Sequence, residues 1–169
     1  MKNYFLILLF ISGSVFSQNV DALKKLALRD AKATSEASLK QDSNTLLKYT
    51  HPNIFEKYGK SKMLETMDDI FRTMKAQKIK ITSSEIDEIA DIRKEYKEYR
   101  CLIKNTVKMD FNGRVVTLKS SLFGFYDKKK EQWYFVESNK LLDDPETQKL
   151  FPRFKTDIEI PLDEHIAEN

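Results

Sequence analysis

The sequence predicts an α+β domain, with helical segments leading into an antiparallel meander. Three observations carry that prediction. Apolar residues recur at spacings of three and four between residues 20 and 74. After residue 78 the period changes to two, starting with Lys78-Ile79-Lys80-Ile81-Thr82. Asn112-Gly113 then separates two alternating runs, a strong hairpin signal because both central residues of a type I′ turn need positive φ. Helices followed by strands, rather than alternating with them, give α+β.

The elements follow in chain order. Met1-Lys2-Asn3 is a short cationic start, and Tyr4 to Ile11 (YFLILLFI) is an apolar run. Small and polar residues follow, with Val15 and Ser17 in the slots of a signal-peptidase site, so residues 1–17 are expected to be a cleaved export signal. The apolar run is under half the roughly 20 residues a membrane helix requires. No cysteine follows it to accept a lipid. The expected product is soluble, periplasmic or secreted, and without a membrane anchor.

Residues 18–142 are then expected to form the domain. Val20, Leu23, Ala27, Ala31, Thr34 and Ala37 give a narrow helical stripe of mostly small residues, which lets a helix lie close to what it covers. Asp42-Ser43-Asn44 supplies capping oxygens for a short helix carrying Leu46 and Leu47. Tyr49-Thr50-His51-Pro52 reads as a turn, with Pro52 opening another short helix and Gly59 ending it. Met63, Met67, Ile70, Phe71 and Met74 mark the clearest helix, and their stripe is expected to be core. Strands are expected from 78 toward Ile89, from about Tyr96 to Phe111, from Arg114 to Tyr126 and from Gln132 to Glu137. On the second strand, Tyr99, Cys101, Ile103, Val107 and Met109 share one face. Residues 143–169 form a C-terminal extension: Asp144-Pro145 starts a helix and Pro152 stops it. Phe151 and Phe154 are expected to dock on the domain, and the acidic end beyond Leu162 to fray.

Composition narrows the chemistry. Lys and Arg total 29 against 26 Asp and Glu, intermixed along the chain, so no basic stripe invites nucleic acid. Lys128-Lys129-Lys130 reads as a solvated hairpin turn. Cys101 is the only cysteine, and its apolar neighbours make it a buried small hydrophobe. Its reactivity is left open. The two histidines, His51 and His165, are far apart, and no Cys-x-x-Cys exists, so no metal is expected. Gly59, Gly113 and Gly124 do not cluster into a phosphate cradle, and there is no Gly-x-Ser-x-Gly elbow. No cofactor is expected.

Leu46-Leu47-Lys48-Tyr49-Thr50-His51-Pro52, the helix around Met63 to Met74, and the hairpin strands ending in Trp133-Tyr134-Phe135-Val136 together resemble the nuclear-transport-factor-2-like superfamily. This is the cystatin-like cone fold shared with ketosteroid isomerase and scytalone dehydratase. The resemblance covers roughly residues 20 to 140 and looks closest to small exported bacterial members, of the sort found in Bacteroidetes-like bacteria. It implies a strongly bent sheet wrapping the helices, with a pocket in the cone mouth. The superfamily places isomerases, dehydratases, hydrolases, immunity proteins and binding modules on that frame, so fold alone does not decide function.

Within such a pocket Tyr49, His51, Tyr58, Tyr99 and Glu137 are the candidate ligand-binding residues. Cone-pocket proton transfer needs an inward carboxylate and an acidic donor in an apolar cavity. Glu85, Asp87 and Glu88 lie in a polar stretch expected to face solvent, and no carboxylate is marked as inward. His51 reads either as a polar group at the pocket mouth or as a turn histidine satisfied by backbone. The leading expectation is a noncatalytic exported domain that binds a small apolar or amphipathic ligand, or uses its sheet face to dimerise or hold a protein partner. The alternatives are a cone-pocket isomerase, dehydratase or hydrolase, and an envelope-interaction or immunity-type protein.

Overall fold

A computed structural model of the chain describes residues 4–167, with side chains from Asn19 onward. The expected export signal and its cleavage site lie outside those described side chains; only a helical backbone is given for residues 4–17.

Four helices precede the sheet: α1 (Tyr4–Lys40), α2 (Ser43–Tyr49), α3 (Pro52–Tyr58) and α4 (Lys60–Ala76). The capping chemistry sets their bounds. Asp42 Oδ1 accepts the Thr45 N–H at 3.1 Å to start α2. Pro52 occupies the first turn of α3, and Gly59, with φ +82°, separates α3 from α4. Strands β1 (Ile79–Glu95), β2 (Glu98–Phe111), β3 (Arg114–Asp127) and β4 (Gln132–Glu137) form an open antiparallel meander in sequential order. Helices α5 (Ser138–Asp143) and α6 (Pro145–Leu150) follow, and β5 (Glu164–Ala167) returns to pair with β3.

The fold class is therefore α+β, as the change of period predicts. The Asn112-Gly113 turn is present, with φ of +56° and +99°. The preceding hairpin was not visible in the sequence: β1 runs on to Glu95 and turns at Tyr96-Lys97, both at positive φ without glycine or asparagine. Three register shifts interrupt the β1–β2 pairing, at Ile81/Ser83, Ile86/Glu88 and Ala90/Arg93. Each such bulge bends the strand and raises its twist, which curls this edge of the sheet.

The expected frayed end is corrected. Strand β4 pairs only with Leu122–Asp127 of β3. Residues 164–167 pair with Val116–Lys119 of the same strand instead of fraying.

Two cores lie on opposite faces of the sheet. On the inner face, Leu23, Ala27 and Ala31 of α1 pack on Cys101, Ile103, Trp133 and Phe135. The alanines permit close approach, and two polar ties fix it. The buried Asp30 carboxylate accepts the Trp133 backbone N–H at 2.8 Å and the Arg29 guanidinium at 2.7 Å. The Trp133 indole N–H donates to the Leu23 carbonyl at 3.2 Å. Gly124 is required here, since a Cβ on it would lie 2.6 Å from Cys101 Sγ and 3.1 Å from the Trp133 ring.

On the outer face the C-terminal extension covers the sheet, with Phe151 and Ile158 buried against Leu102, Phe123, Phe125 and Val136. Phe154 meets Phe123 edge-on at 5.1 Å. The buried Arg100 anchors this layer: it donates to the Lys155 carbonyl at 2.7 Å and to Glu98 at 2.8 Å. Glu95 in turn accepts the Thr156 hydroxyl and the Asp157 N–H, each at 2.8 Å.

The α4 stripe is a second correction. No residue of α4 is buried, and Ile70 is 53 % exposed. The helix forms as its spacing predicts, but Met63, Met67, Phe71 and Met74 reach only half-burial, because open space remains between its apolar face and the sheet.

Candidate functional site

That space is a cavity of about 750 Å³, floored by the inner face of the sheet and walled by α1, α2 and α4. The cross-strand register assembles the floor: Ile86 lies opposite Asn105, and Ile103 opposite Leu122. Further along, Val107 and Met109 continue the β2 face that holds Cys101 and Ile103 in the core. One sheet face is thus packed at one end and hollow at the other. The hollow end is lined mainly by Met63, Met67, Ile70, Phe71 and Met74 above and by aliphatic strand residues below.

Two sets of polar groups stand out in the lining. The first is uncharged and lies on the floor and the α1 wall. The Ser35 hydroxyl bonds the Ser84 carbonyl at 2.5 Å and the Ser84 hydroxyl at 2.8 Å, tying α1 to β1. Asn105 is 8 % exposed, and one end of its amide meets the Ser120 hydroxyl at 3.3 Å.

The second set is charged and lies where β4 passes into α5 and α6. Glu137 pairs with Lys140 at 2.8 Å. Asp144 accepts the Thr147 N–H at 2.9 Å and the Thr147 hydroxyl at 2.6 Å, capping α6. Glu146 pairs with Lys57 at 3.4 Å and with Lys149. The lysine hydrogen bonds lower the Glu146 carboxyl below its ordinary range, and the Thr147 bonds do the same for Asp144.

Of the residues singled out in the sequence, Tyr49, Tyr58 and Glu137 line this cavity. His51 and Tyr99 do not. His51 caps α3, its Nδ1 accepting the Asn53 N–H at 3.2 Å. Its ring stands edge-on to Phe125 and Phe151 at 4.7 and 4.8 Å, among the aromatics of the outer-face core. Burial there lowers its pKa to about 4, so it is neutral at neutral pH. This matches the turn-histidine reading. Tyr99 packs at the filled end, against Tyr126 and below Asn19. The Cys101 thiol is fully buried and its pKa is pushed up by burial, so the thiolate is suppressed.

Comparison with family models, with curated proteins and with solved structures finds no match. The site is therefore read from its own geometry. Among the described residues no cluster of His, Cys, Asp or Glu has the arrangement to hold a metal ion. No helix among them is long and apolar enough to cross a membrane.

Sequence reasoning missed Asn105, Ser35 and Ser84. Asn105 carried a faint signal, since it interrupts the apolar alternation Cys101, Ile103, Val107, Met109 on one strand face. Ser35 and Ser84 carried none, because their pairing depends on how α1 crosses β1.

Proposed function

We propose that this chain is an exported, noncatalytic binding domain of the nuclear-transport-factor-2-like kind, taking a small apolar or amphipathic molecule into the cavity. The observation that carries the reading is the unburied α4 stripe facing the sheet across about 750 Å³. Ile70 is exposed and the other four side chains of the stripe are half-buried, so a ligand covers the apolar area they leave open, and ligand sites of this volume and apolar lining are typical.

The cavity supports this reading better than a sheet-face dimer. The outer face is covered at one end by the C-terminal extension and carries Lys104, paired with Glu88 at 2.9 Å, further along. The carboxylates lining the cavity are paired or capping, and His51 lies elsewhere. That engagement of the carboxylates favours binding over the isomerase-like alternative.

Fluorescence titration with Nile red tests the reading: saturable 1:1 binding in the micromolar range is expected, and a linear, unsaturable response would contradict it. Export is tested separately by the mature N-terminus recovered from a bacterial host. The expected first residue is Gln18, and a chain retaining Met1 would contradict export.

A further inference from the structure

We propose that the cavity selects amphipathic molecules with an uncharged alcohol or amide head, recognised on its floor by Asn105 beside Ser84. This rests on the ligand-binding reading above and specifies its ligand class. Three observations carry it.

Asn105 is more than nine-tenths buried, yet only one end of its amide is engaged, by the Ser120 hydroxyl. A serine hydroxyl can donate or accept, so the amide can sit either way round. In both orientations one polar atom is left toward the cavity without a partner in the described chain. That atom is open to water in the cavity, and a ligand that displaces this water must supply a donor or acceptor in its place.

The neighbourhood of that amide is uncharged. The cavity-lining residues of α1, α4, β1, β2 and β3 include no Asp, Glu, Lys or Arg. Burying a carboxylate or an ammonium among them would strip its water with no counter-charge to replace it.

The charged lining residues, Glu137, Lys140, Asp144 and Glu146, belong to the β4–α6 end and are already engaged, by one another, by Lys57 and Lys149, or by the Thr147 donors of the α6 cap. Glu137 stands opposite Leu122 on β4, two strands over and one pleat along from Asn105, about 12 Å away by sheet spacing. A head group on Asn105 therefore does not reach them.

Three probes with the same tail separate the possibilities: decan-1-ol, decanoate and decyltrimethylammonium, each displacing Nile red at neutral pH below its micelle concentration. The expected result is at least a tenfold preference for decanol over both ions in the unaltered protein. In Asn105→Leu that preference shrinks to about twofold, while Ser35→Ala, which removes only the α1 partner of Ser84, keeps most of it. Equal binding of all three probes, or preference for an ion, overturns the head-group assignment and leaves the cavity reading standing. No displacement by any probe removes both. Where Asn105→Leu fails to fold, the smaller change Asn105→Ser is read with the same three probes, and a preference kept in full there overturns the assignment to Asn105.

Discussion

Helices α1 and α4 both present an apolar stripe to the same sheet, and they use it in opposite ways. The α1 stripe is built mostly of small residues, and its Leu23, Ala27 and Ala31 are buried against Cys101, Ile103 and Trp133. The α4 stripe is built of large residues, three methionines with Ile70 and Phe71, and none is buried. The larger apolar payload lies on the helix that buries less. Small side chains bring a helix down onto a sheet and add stability through close packing. Large flexible ones on a helix that stands off the sheet make an adaptable wall, which is where methionine is favoured at binding surfaces.

The comparison breaks first, and most severely, at the filled end. Trp133→Ala removes the largest buried side chain and its tie to Leu23. It should cost about 3–5 kcal/mol in urea unfolding. A cost under ~1 kcal/mol would mean that this end is not the core. Asp30→Ala strands the buried Trp133 N–H and should cost about 2–3 kcal/mol.

Overpacking comes next. Gly124→Ala forces a Cβ against Cys101 and Trp133, and a loss of about 1–3 kcal/mol is expected. A neutral result would show slack where the geometry shows none.

Acid acts on the outer face. Because His51 has a folded pKa of about 4 against 6.5 unfolded, the unfolded chain binds the extra proton. The contribution of neutral His51 is complete above about pH 6.5 and is lost as pH falls through 4. The loss amounts to about 3 kcal/mol from a shift of this size. Unfolding of His51→Gln should be flatter across that window; an identical profile would exclude His51 as the source.

The smallest stability effect belongs to α4. Ile70→Ser replaces a half-exposed side chain and should stay within about 0.5 kcal/mol.

Much of the fold was legible because its signals are local. Pro52, Gly59 and Asn112-Gly113 act through φ and capping, and they stand where the sequence places them. Tyr96-Lys97 was illegible because its positive φ is imposed by two long paired strands rather than by turn residues. The Arg100 guanidinium lies over the Tyr96 ring at 5.0 Å, a contact made only once the hairpin is closed. The site was less legible than the fold. Periodicity tells which face of α4 is apolar, but not how far that face stands from the sheet. Proximity to a turn drew attention to His51, whose ring tucks into the outer-face aromatics. Asp30 sits within the α1 stripe, seven residues after Leu23, and a carboxylate there was the readable hint of a buried tie.

The central claim is that the α4 stripe serves a ligand rather than the core. The triple variant Met63→Ser, Met67→Ser, Phe71→Ser, followed by urea unfolding and Nile red titration on the same preparation, tests it most directly. The account predicts a stability change below about 1.5 kcal/mol together with at least a tenfold loss of dye affinity. A loss of about 6 kcal/mol or more, as three core truncations would give, would contradict it. So would undiminished dye binding.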